Sequence, residues 1–456
     1  MKLNECHNRK VWKKMRLYRI ITIGLMLFCL ILPACWPDRS LAEIKYIDLT
    51  NPFLRKIPMA VPVFSAMPAA QADDKLTTDI ADKVASMLEY TGYFKMLDRA
   101  SFLYDPKKGE ITETRINFQN WTAVGAELLI TGGVQRTADE LVLELRLFDT
   151  FKTSLVVGKR YRGRTEDLRD MVRRFCTEVI RALTGNQGVF YSRIAFVSNG
   201  TGHKEIYFCE FDGSNAKMIT KKRSITSFPA WSLDGRYLAF TSFANGPSQI
   251  FVRDLKSGLE KKFRFKGAQI APAWVPHRFE LTTTLSIEGD QEIYLLTGGG
   301  KMIKRVTYSP GIDVDATWSP DGRKLAFVSK RAGTPQIYVQ EMGSNRIQRL
   351  TFEGRYNTQP SWSPKGDKIA YSSMEEGQLN IYVIDIEGNH PIRLTYNQGD
   401  NEAPSWSPDG SLIAFRSTRE GVSRIYVMTA YGTDQRRLLV LTGAQSHPRW
   451  SPNMLP

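Results

Sequence analysis

A five-residue unit that recurs along the second half of the chain constrains the fold more than any other feature. It reads Trp-Ser-Pro-Asp-Gly at Trp318, and related or degraded versions begin at the other tryptophans of the repeat. These are Trp231, Trp274, Trp362, Trp406 and Trp450. Successive tryptophans lie 43 or 44 residues apart. A period of this length, filled with short strands, is typical of a β-propeller in which each repeat forms one blade.

Two apolar columns keep the same period as the tryptophans. One contains pairs such as Ile337-Tyr338, and the other contains runs such as Leu325-Ala326-Phe327. Together they predict six blades of four strands each. The repeats begin at Ile194 without a preceding Trp unit and end at Trp450 without a following strand. We therefore expect residues 448–452 to supply the missing strand of the first blade, which closes the ring and leaves no open edge.

The Trp unit is itself a turn signal. Proline at the second turn position fixes φ, aspartate tolerates the third position, and glycine takes the positive φ that other residues resist. A tryptophan repeated in every blade either packs between blades or serves as a ligand platform. We favour packing, because a residue that holds blades together must recur in each of them.

The first 42 residues differ from the rest of the chain. Basic residues from Lys2 to Arg19 precede an uncharged apolar run over 20–32, and small residues precede position 43. The run has 13 residues, too few to span a bilayer as a helix. This pattern predicts a secretory signal peptide cleaved between Ala42 and Glu43, and therefore an exported protein. A lipoprotein signal with Cys35 as the acylated residue is the alternative.

Removal of this leader lowers the formal charge from +15 to +9. Outside the cytoplasm, a moderately basic surface faces lipid headgroups, cell-wall carboxylates or acidic proteins, or is simply solvated. Nucleic acid is not an expected partner. Of five cysteines only Cys176 and Cys209 remain in the mature chain. We expect both to be buried thiols and not a disulfide pair, since they fall in different predicted domains.

Residues 43–187 read as a small mixed α/β domain, and residues 188–456 as the propeller. Apolar residues over 74–90 recur at helical spacing, and a second helix is predicted from Thr165 to Leu183, where Gly185 ends it. Between them, 128–134 and 141–148 have the composition of paired strands. The predicted fold is thus an N-terminal α/β domain followed by an all-β six-bladed propeller that its C-terminal strand closes.

Catalytic motifs are not evident in the sequence. The four histidines of the mature chain, His203, His277, His390 and His447, occupy unrelated places in the repeats and have no metal-like spacing. No Gly-x-Ser-x-Gly elbow occurs. We predict a protein that is not an enzyme and has neither cofactor nor metal. Two alternatives stay open: a propeller enzyme would need titratable residues clustered in the channel, and a carbohydrate-binding wall protein would need exposed aromatic residues on one rim.

The segments that precede each tryptophan differ from one another where the tryptophan does not. We predict that they are loops around one mouth of the central channel and that their polar residues bind a partner. The candidates are Gln269, Ile270, Asp313, Asp315, Asn357, Gln359, Asn401, Glu402, Gln445 and His447. Solvated loops without a function are the simpler alternative for any one of these residues.

Three N-terminal stretches make the sequence recognisable. GYFKMLDR at 92–99, NWTAVGAELLITGGV at 120–134 and the Leu-Thr-Gly that ends a long helix at 183–185 precede the six Trp-unit repeats. The combination resembles the TolB family, the periplasmic components of the Tol–Pal system of Gram-negative bacteria. The resemblance implies a non-catalytic adaptor. Such a protein binds the peptidoglycan-associated lipoprotein Pal at the channel mouth and TolA through its mature N-terminus, and it supports outer-membrane integrity and constriction during cell division.

The resemblance places two binding sites on this chain. The Pal site falls on the loops described above, with Asp315 and the turn formed by Gln269, Ile270 and Ala271 best placed. The TolA site falls on the segment Glu43, Ile44, Lys45, Tyr46, Ile47, Asp48 and Leu49, which could add as a strand to a partner's sheet. The third repeat departs from the pattern, because 275–278 reads Val-Pro-His-Arg.

Overall fold

The computed structural model describes residues 55–67, 74–103, 112–287 and 289–454. The predicted signal peptide, its cleavage site at Ala42 and Glu43, and the predicted TolA-binding segment 43–49 lie outside these residues. Residues 47–456 belong to one compact unit, so the predicted division at 187/188 stays a prediction.

The N-terminal part is built from one mixed sheet and the helices that cover it. The helices are α1 (Asp74–Tyr90), α2 (Phe118–Ala123) and α3 (Leu168–Thr184), with 3₁₀ turns at Arg99–Ser101, Glu113–Arg115 and Thr165–Asp167. The strands are β1 (Ile57–Ala60), β2 (Ser65–Ala66), β3 (Phe94–Met96), β4 (Leu128–Arg136), β5 (Leu141–Asp149) and β6 (Ser154–Gly163). The sheet order is β3-β1-β4-β5-β6, with β2 paired to β4. Strands β1, β3 and β4 are parallel, whereas β4, β5 and β6 are antiparallel.

Helices α1 and α3 pack together because each has one apolar face. Ile80, Val84 and Leu88 of α1 are fully buried, and so are Phe175 and Val179 of α3. This spacing of three and four residues places the buried side chains on one side of a helix. Helix α3 ends where Gly185 adopts a φ of 76°, and the Gly185 amide donates to the carbonyl of residue 181.

The rest of the described chain forms six four-stranded antiparallel sheets, which are the six blades. Blade 1 contains β30 (Gln445–Trp450), β7 (Arg193–Ser198), β8 (Glu205–Glu210) and β9 (Lys217–Met218). Blade 2 contains β10 (Thr226–Trp231), β11 (Tyr237–Ser242), β12 (Gln249–Asp254) and β13 (Glu260–Lys262). Blade 3 contains β14 (Gln269–Trp274), β15 (Glu280–Leu285), β16 (Glu292–Thr297) and β17 (Met302–Arg305).

The remaining blades repeat this arrangement. Blade 4 contains β18 (Asp313–Trp318), β19 (Lys324–Ser329), β20 (Gln336–Glu341) and β21 (Ile347–Arg349). Blade 5 contains β22 (Tyr356–Trp362), β23 (Lys368–Glu375), β24 (Gln378–Asp385) and β25 (Ile392–Arg393). Blade 6 contains β26 (Asn401–Trp406), β27 (Leu412–Ser417), β28 (Arg424–Thr429) and β29 (Arg436–Arg437). The strand that ends at the tryptophan contacts its counterpart in the next blade all around the ring, so these six strands line the central channel.

The predicted closure of the ring is confirmed. The last strand, β30, pairs antiparallel with β7, and Trp450 lies opposite Ile194. The closing strand covers 445–450, so it begins three residues and ends two residues before the segment 448–452 expected from the sequence. Because the first blade takes its innermost strand from the chain's end, neither terminus of the repeat array leaves an unpaired inner edge.

The Trp units form the turns between the first and second strands of the blades, as their composition predicts. In blade 4 the Ser319 hydroxyl donates to Asp321 at 2.6 Å and accepts from the Lys324 amide, while Gly322 has a φ of 68°. The tryptophans pack between blades: Trp274 and Trp406 donate their indole N–H to inner-strand carbonyls of the preceding blade. Five of the six tryptophans in the repeat are at most 8% exposed.

The N-terminal part and the propeller share one hydrophobic cluster. It joins Phe175 and Val179 of α3 to Phe211 of blade 1 and Leu438 of blade 6. Polar contacts surround this cluster, such as Arg169 with Glu210 at 2.6 Å. As expected, Cys176 and Cys209 are buried free thiols. Among the described residues, no helix has the length and hydropathy that a transmembrane span requires.

Candidate functional site

The central channel has two chemically different ends. At one end, which we call the turn face, the Trp units meet. There the channel opens into a cavity of about 440 Å³ lined mainly by the repeated tryptophans and prolines. At the other end, the loop face, six loops carry the chain from the outermost strand of one blade to the innermost strand of the next. These loops cover residues 219–225, 263–268, 306–312, 350–355, 394–400 and 438–444.

The eleven predicted site residues lie on the innermost strands themselves and not in the loops before them. Strands β14, β18, β26 and β30 begin at Gln269, Asp313, Asn401 and Gln445. The prediction that these segments are loops was therefore wrong. Each inner strand instead contains a register shift, which lies between the fourth and the first residue before the tryptophan in all six blades.

The residues five positions before each tryptophan form a buried set, which we call the latch column. It consists of Thr226, Gln269, Asp313, Asn357, Asn401 and Gln445, and each side chain is 0% exposed. The Asn357 amide donates to Gln336 at 2.8 Å and to the Glu353 carbonyl at 2.7 Å. Asp313 pairs with Arg331 at 2.9 Å. These contacts tie an inner strand to neighbouring segments, so the latch column supports the wall of the channel.

The residues three positions before each tryptophan form a second set, which we call the channel column. It consists of Phe228, Ala271, Asp315, Gln359, Ala403 and His447, and every member has a φ between 49° and 55°. This left-handed backbone is uncommon for residues other than glycine. Its sixfold recurrence follows from the bulge in each inner strand, where one extra residue turns its side chain away from the ladder.

The channel column brings unlike side chains together around the axis. The rings of Phe228 and His447 meet edge to face, with centroids 4.6 Å apart. Gln359 accepts from the Ala403 amide at 2.9 Å. Asp315 and Arg449 belong to opposite blades, and both line the inner end of the cavity that opens at the turn face. Glu402 pairs with Arg416 beside them. The structure therefore brings Asp315, Gln359, Glu402 and His447 together, whereas it seals the five predicted latch residues inside the wall.

Burial is the main cause of the pKa shifts of Asp315, His447 and Arg449. It raises the pKa of Asp315, although the positive charge of Arg449 acts in the opposite direction. Burial, and then the charges of Arg449, Lys204 and Arg416, lower the pKa of His447 to about 3. Burial also lowers the pKa of Arg449, and Asp315 opposes that shift. The imidazole is thus neutral at pH 7.

Three residues of this site were not among the predicted ones. Phe228 and Ala403 belong to the channel column, and Arg449 supplies the positive charge opposite Asp315. The signal for Phe228 and Ala403 was present in the repeat, because both stand three residues before a tryptophan. Arg449 could not be identified in this way, since the corresponding position in the other blades is alanine, threonine or serine.

Comparisons with known proteins agree with this architecture. The family described as "TolB beta propeller domain" matches residues 180–378 and 357–454, and the "TolB amino-terminal domain" matches residues 45–156. The chain is 53% identical over 285 residues to a Tol-Pal system protein TolB of Desulfosudis oleivorans, an alignment that covers 62% of this chain and 65% of that protein. The chain thus spans slightly less than two thirds of that relative's length.

Two further comparisons extend over more of the relatives. A Tol-Pal system protein TolB of Anaeromyxobacter dehalogenans is 34% identical over 301 residues, which is 65% of this chain and 68% of that protein. The crystal structure of TolB from Acinetobacter baumannii superimposes with a TM-score of 0.76 at 25% identity, covering 87% of this chain and 97% of that one. On these grounds the chain belongs to the TolB family, as its sequence motifs predicted.

Proposed function

We propose that the chain is a non-catalytic periplasmic adaptor of the Tol–Pal system. In this proposal, the loop face and the channel column bind the lipoprotein Pal, and the mature N-terminal segment 43–49 binds TolA. The complex would support outer-membrane integrity and constriction during cell division. Membership of the TolB family and the names of its relatives support the assignment to this system.

The observation that carries the Pal site is the channel column. Six residues with the same left-handed backbone surround one axis, and only the two alanines among them are alike. A position that only maintained the blade would keep similar side chains, as the tryptophan position does. The column is therefore a rigid and asymmetric surface that suits one asymmetric partner.

Asp315 is the contact that we expect to matter most. Its carboxylate is held where burial disfavours its charge, and the Arg449 charge compensates only in part. A hydrogen-bond donor on a partner segment that enters the channel would relieve this cost. Removal of one member of such a buried polar contact typically costs 2–5 kcal/mol of binding free energy. In this proposal, Ile270, Ala271, Gln359, Glu402 and His447 contact the same segment.

The test is a calorimetric titration of the full mature chain with the soluble domain of Pal from the same bacterium. Asp315→Asn should weaken binding by about 30-fold or more. The matched control is Asp139→Asn, which changes an exposed aspartate in the N-terminal part and should leave the affinity unchanged. An affinity that survives Asp315→Asn would remove the channel from the binding site.

The TolA site is tested separately. Deletion of residues 43–49 should leave the titration with Pal unchanged and abolish capture of purified TolA. If the shortened protein still captures TolA with the same affinity, the N-terminal segment is not its binding site.

A further inference from the structure

Three aromatic side chains are exposed at equivalent places on the loop face. Tyr308, Phe352 and Tyr396 are 73, 68 and 57% exposed, and they stand 44 residues apart. Val440 occupies the same place in the next loop and is 88% exposed. We call these four residues the apolar arc. Large apolar side chains that recur in a contiguous set on a surface indicate an interaction site more often than isolated ones do.

Each ring of the apolar arc is fixed by an arginine three residues earlier. The Nε atoms of Arg305, Arg349 and Arg393 donate to the backbone carbonyl of the residue before the ring, at 2.7–2.8 Å. Their guanidinium groups then lie 4.7–4.9 Å from the ring centroids. The rings are therefore held in place before any partner binds, which lowers the entropy lost on binding.

The other two loops of the same face are basic and have no aromatic residue at the equivalent place. The loop 219–225 carries Lys221, Lys222 and Arg223, and the loop 263–268 carries Arg264 and Lys266, without an acidic residue in either loop. Lys222 pairs with Glu260 of strand β13. The four loops that bear the apolar arc contain one cation, Arg355, and two acids, Glu353 and Asp400. On the side of the apolar arc, the arginines behind Tyr308 and Tyr396 are paired with Glu292 and Glu375. The loops of that side are therefore mainly apolar, and those of the other side are positively charged.

We infer that the loop face fixes the orientation of a folded protein partner. This partner inserts one segment into the channel, and it has an apolar edge on one side of that segment and an acidic edge on the other. The apolar edge packs on the arc over blades 3 to 6, and the acidic edge faces the loops after blades 1 and 2. The inference rests on the proposed function, since it assumes that a protein binds at this face. The loops lead directly into the inner strands that carry the channel column, so a protein on this face would extend the proposed binding site.

A glycan strand is the other chemistry that exposed aromatic rings can bind. Each guanidinium covers one face of its ring. Tyrosine and arginine are enriched among the residues that dominate protein–protein contacts, and the arc combines them. The cations of the two neighbouring loops attract an acidic surface, which favours a protein partner over an uncharged sugar chain.

The experiment is a titration of the full mature chain with the soluble domain of Pal at two salt concentrations, about 50 and about 300 mM NaCl. The arc variant combines Tyr308→Ser, Phe352→Ser and Tyr396→Ser, and its control is Phe151→Ser, which changes a ring that is 68% exposed in the N-terminal part. The basic variant combines Lys221→Gln, Arg264→Gln and Lys266→Gln. Its control replaces three exposed cations of the turn face, Lys256, Lys301 and Arg346, with glutamine.

The arc variant should lose at least about tenfold in affinity at both salt concentrations, because apolar contacts are not screened by ions. The basic variant should bind more slowly at low salt and lose most of the salt dependence of the association rate. Both controls should match the unmodified protein. Circular dichroism confirms that each variant is folded.

The outcomes separate this inference from the proposed function. If Pal binds and requires Asp315 but both loop-face variants bind normally, the orientation inference is wrong and the channel site stands. If the arc variant binds Pal normally but loses binding to purified peptidoglycan, the arc is a glycan site and the protein assignment is wrong. If the unmodified protein does not bind Pal at all, both proposals fail.

Discussion

The latch column and the channel column lie two residues apart on the same strands, and both vary between blades. The latch column contains threonine, glutamine, aspartate and asparagine, which are all fully buried and all hydrogen-bonded to the protein. The channel column contains phenylalanine, alanine, aspartate, glutamine and histidine on one shared backbone conformation. Variation between repeats therefore marks a candidate surface only where the chemistry of the side chains changes. It does not do so where one polar residue replaces another, as in the latch column.

The largest loss of stability is expected from removal of β30, which closes the ring and carries the latch residue Gln445. Deletion of residues 445–456 removes β30, exposes the edge of β7 and opens the apolar core of blade 1. We expect a chain that does not unfold cooperatively, as measured by differential scanning calorimetry. A chain lacking only residues 455–456 is the control and should behave like the full-length protein. A truncated chain with an unchanged melting temperature would contradict the closed ring.

The next effect concerns a single latch residue. Asn357→Leu removes the donors that satisfy Gln336 and the Glu353 carbonyl inside the wall. The free energy of unfolding should fall by about 1–3 kcal/mol, because the Glu353 carbonyl loses this donor and Gln336 keeps only the hydrogen bond from Thr351. Urea denaturation measures it, and Asn389→Leu at an exposed turn is the matched control. If both variants lose equally little, the latch column does not stabilise the blades.

The pH dependence of stability tests the channel column through His447. The pKa of His447 is about 3 in the folded protein, below its ordinary value of about 6.5. Between these values the unfolded chain binds a proton that the folded chain does not, so stability falls as the pH falls through this window. His447→Gln should flatten the decline in unfolding free energy between pH 6 and pH 4, by at most about 1.4 kcal/mol per pH unit.

The control for this measurement is His390→Gln, which changes an exposed histidine in a turn of blade 5. It should retain the slope of the unmodified protein. Identical slopes for the His447→Gln variant and the unmodified protein would show that His447 is protonated as readily in the folded chain as in the unfolded one.

The smallest effect is a gain in stability. Burial raises the pKa of Asp315, so the folded state disfavours the ionised carboxylate. At pH values above the raised pKa the carboxylate is ionised, and the folded state is less stable for that reason. Asp315→Asn removes this cost. The free energy of unfolding at pH 7 should rise by up to about 1 kcal/mol, while the affinity for Pal falls. A variant that is clearly less stable would place Asp315 among the structural residues, like those of the latch column.

Most of the fold was predictable because its signals are local and repeated. The 44-residue period, the turn residues of the Trp unit and the closure by the last repeat all appear in the structure. The helix predicted over 74–90 has the same bounds in α1. Strand β1 contains Pro58 although it lies between β3 and β4. Pro58 is tolerated there because β1 is short and its proline stands near the start of the strand.

The site was less predictable, because burial and cross-channel contacts depend on how six blades face one axis. The sequence placed Gln269 and Asp315 in the same class of residue, although one is sealed in the wall and the other lines the channel. It also could not place Asp315 across the channel from Arg449, which lies 134 residues away in the sequence. The exposed rings of Tyr308, Phe352 and Tyr396 repeat at the period of the blades, yet their exposure becomes evident only from the fold.

Hydrogen–deuterium exchange of the mature chain, with and without the soluble domain of Pal, tests directly whether the partner binds at the loop face. The measurement compares the two ends of the channel. We predict that Pal slows exchange in the six loops of the loop face and in the inner-strand residues around the channel column. The turns formed by the Trp units should exchange as before. Protection confined to those turns, with unchanged exchange around Asp315, would contradict the account.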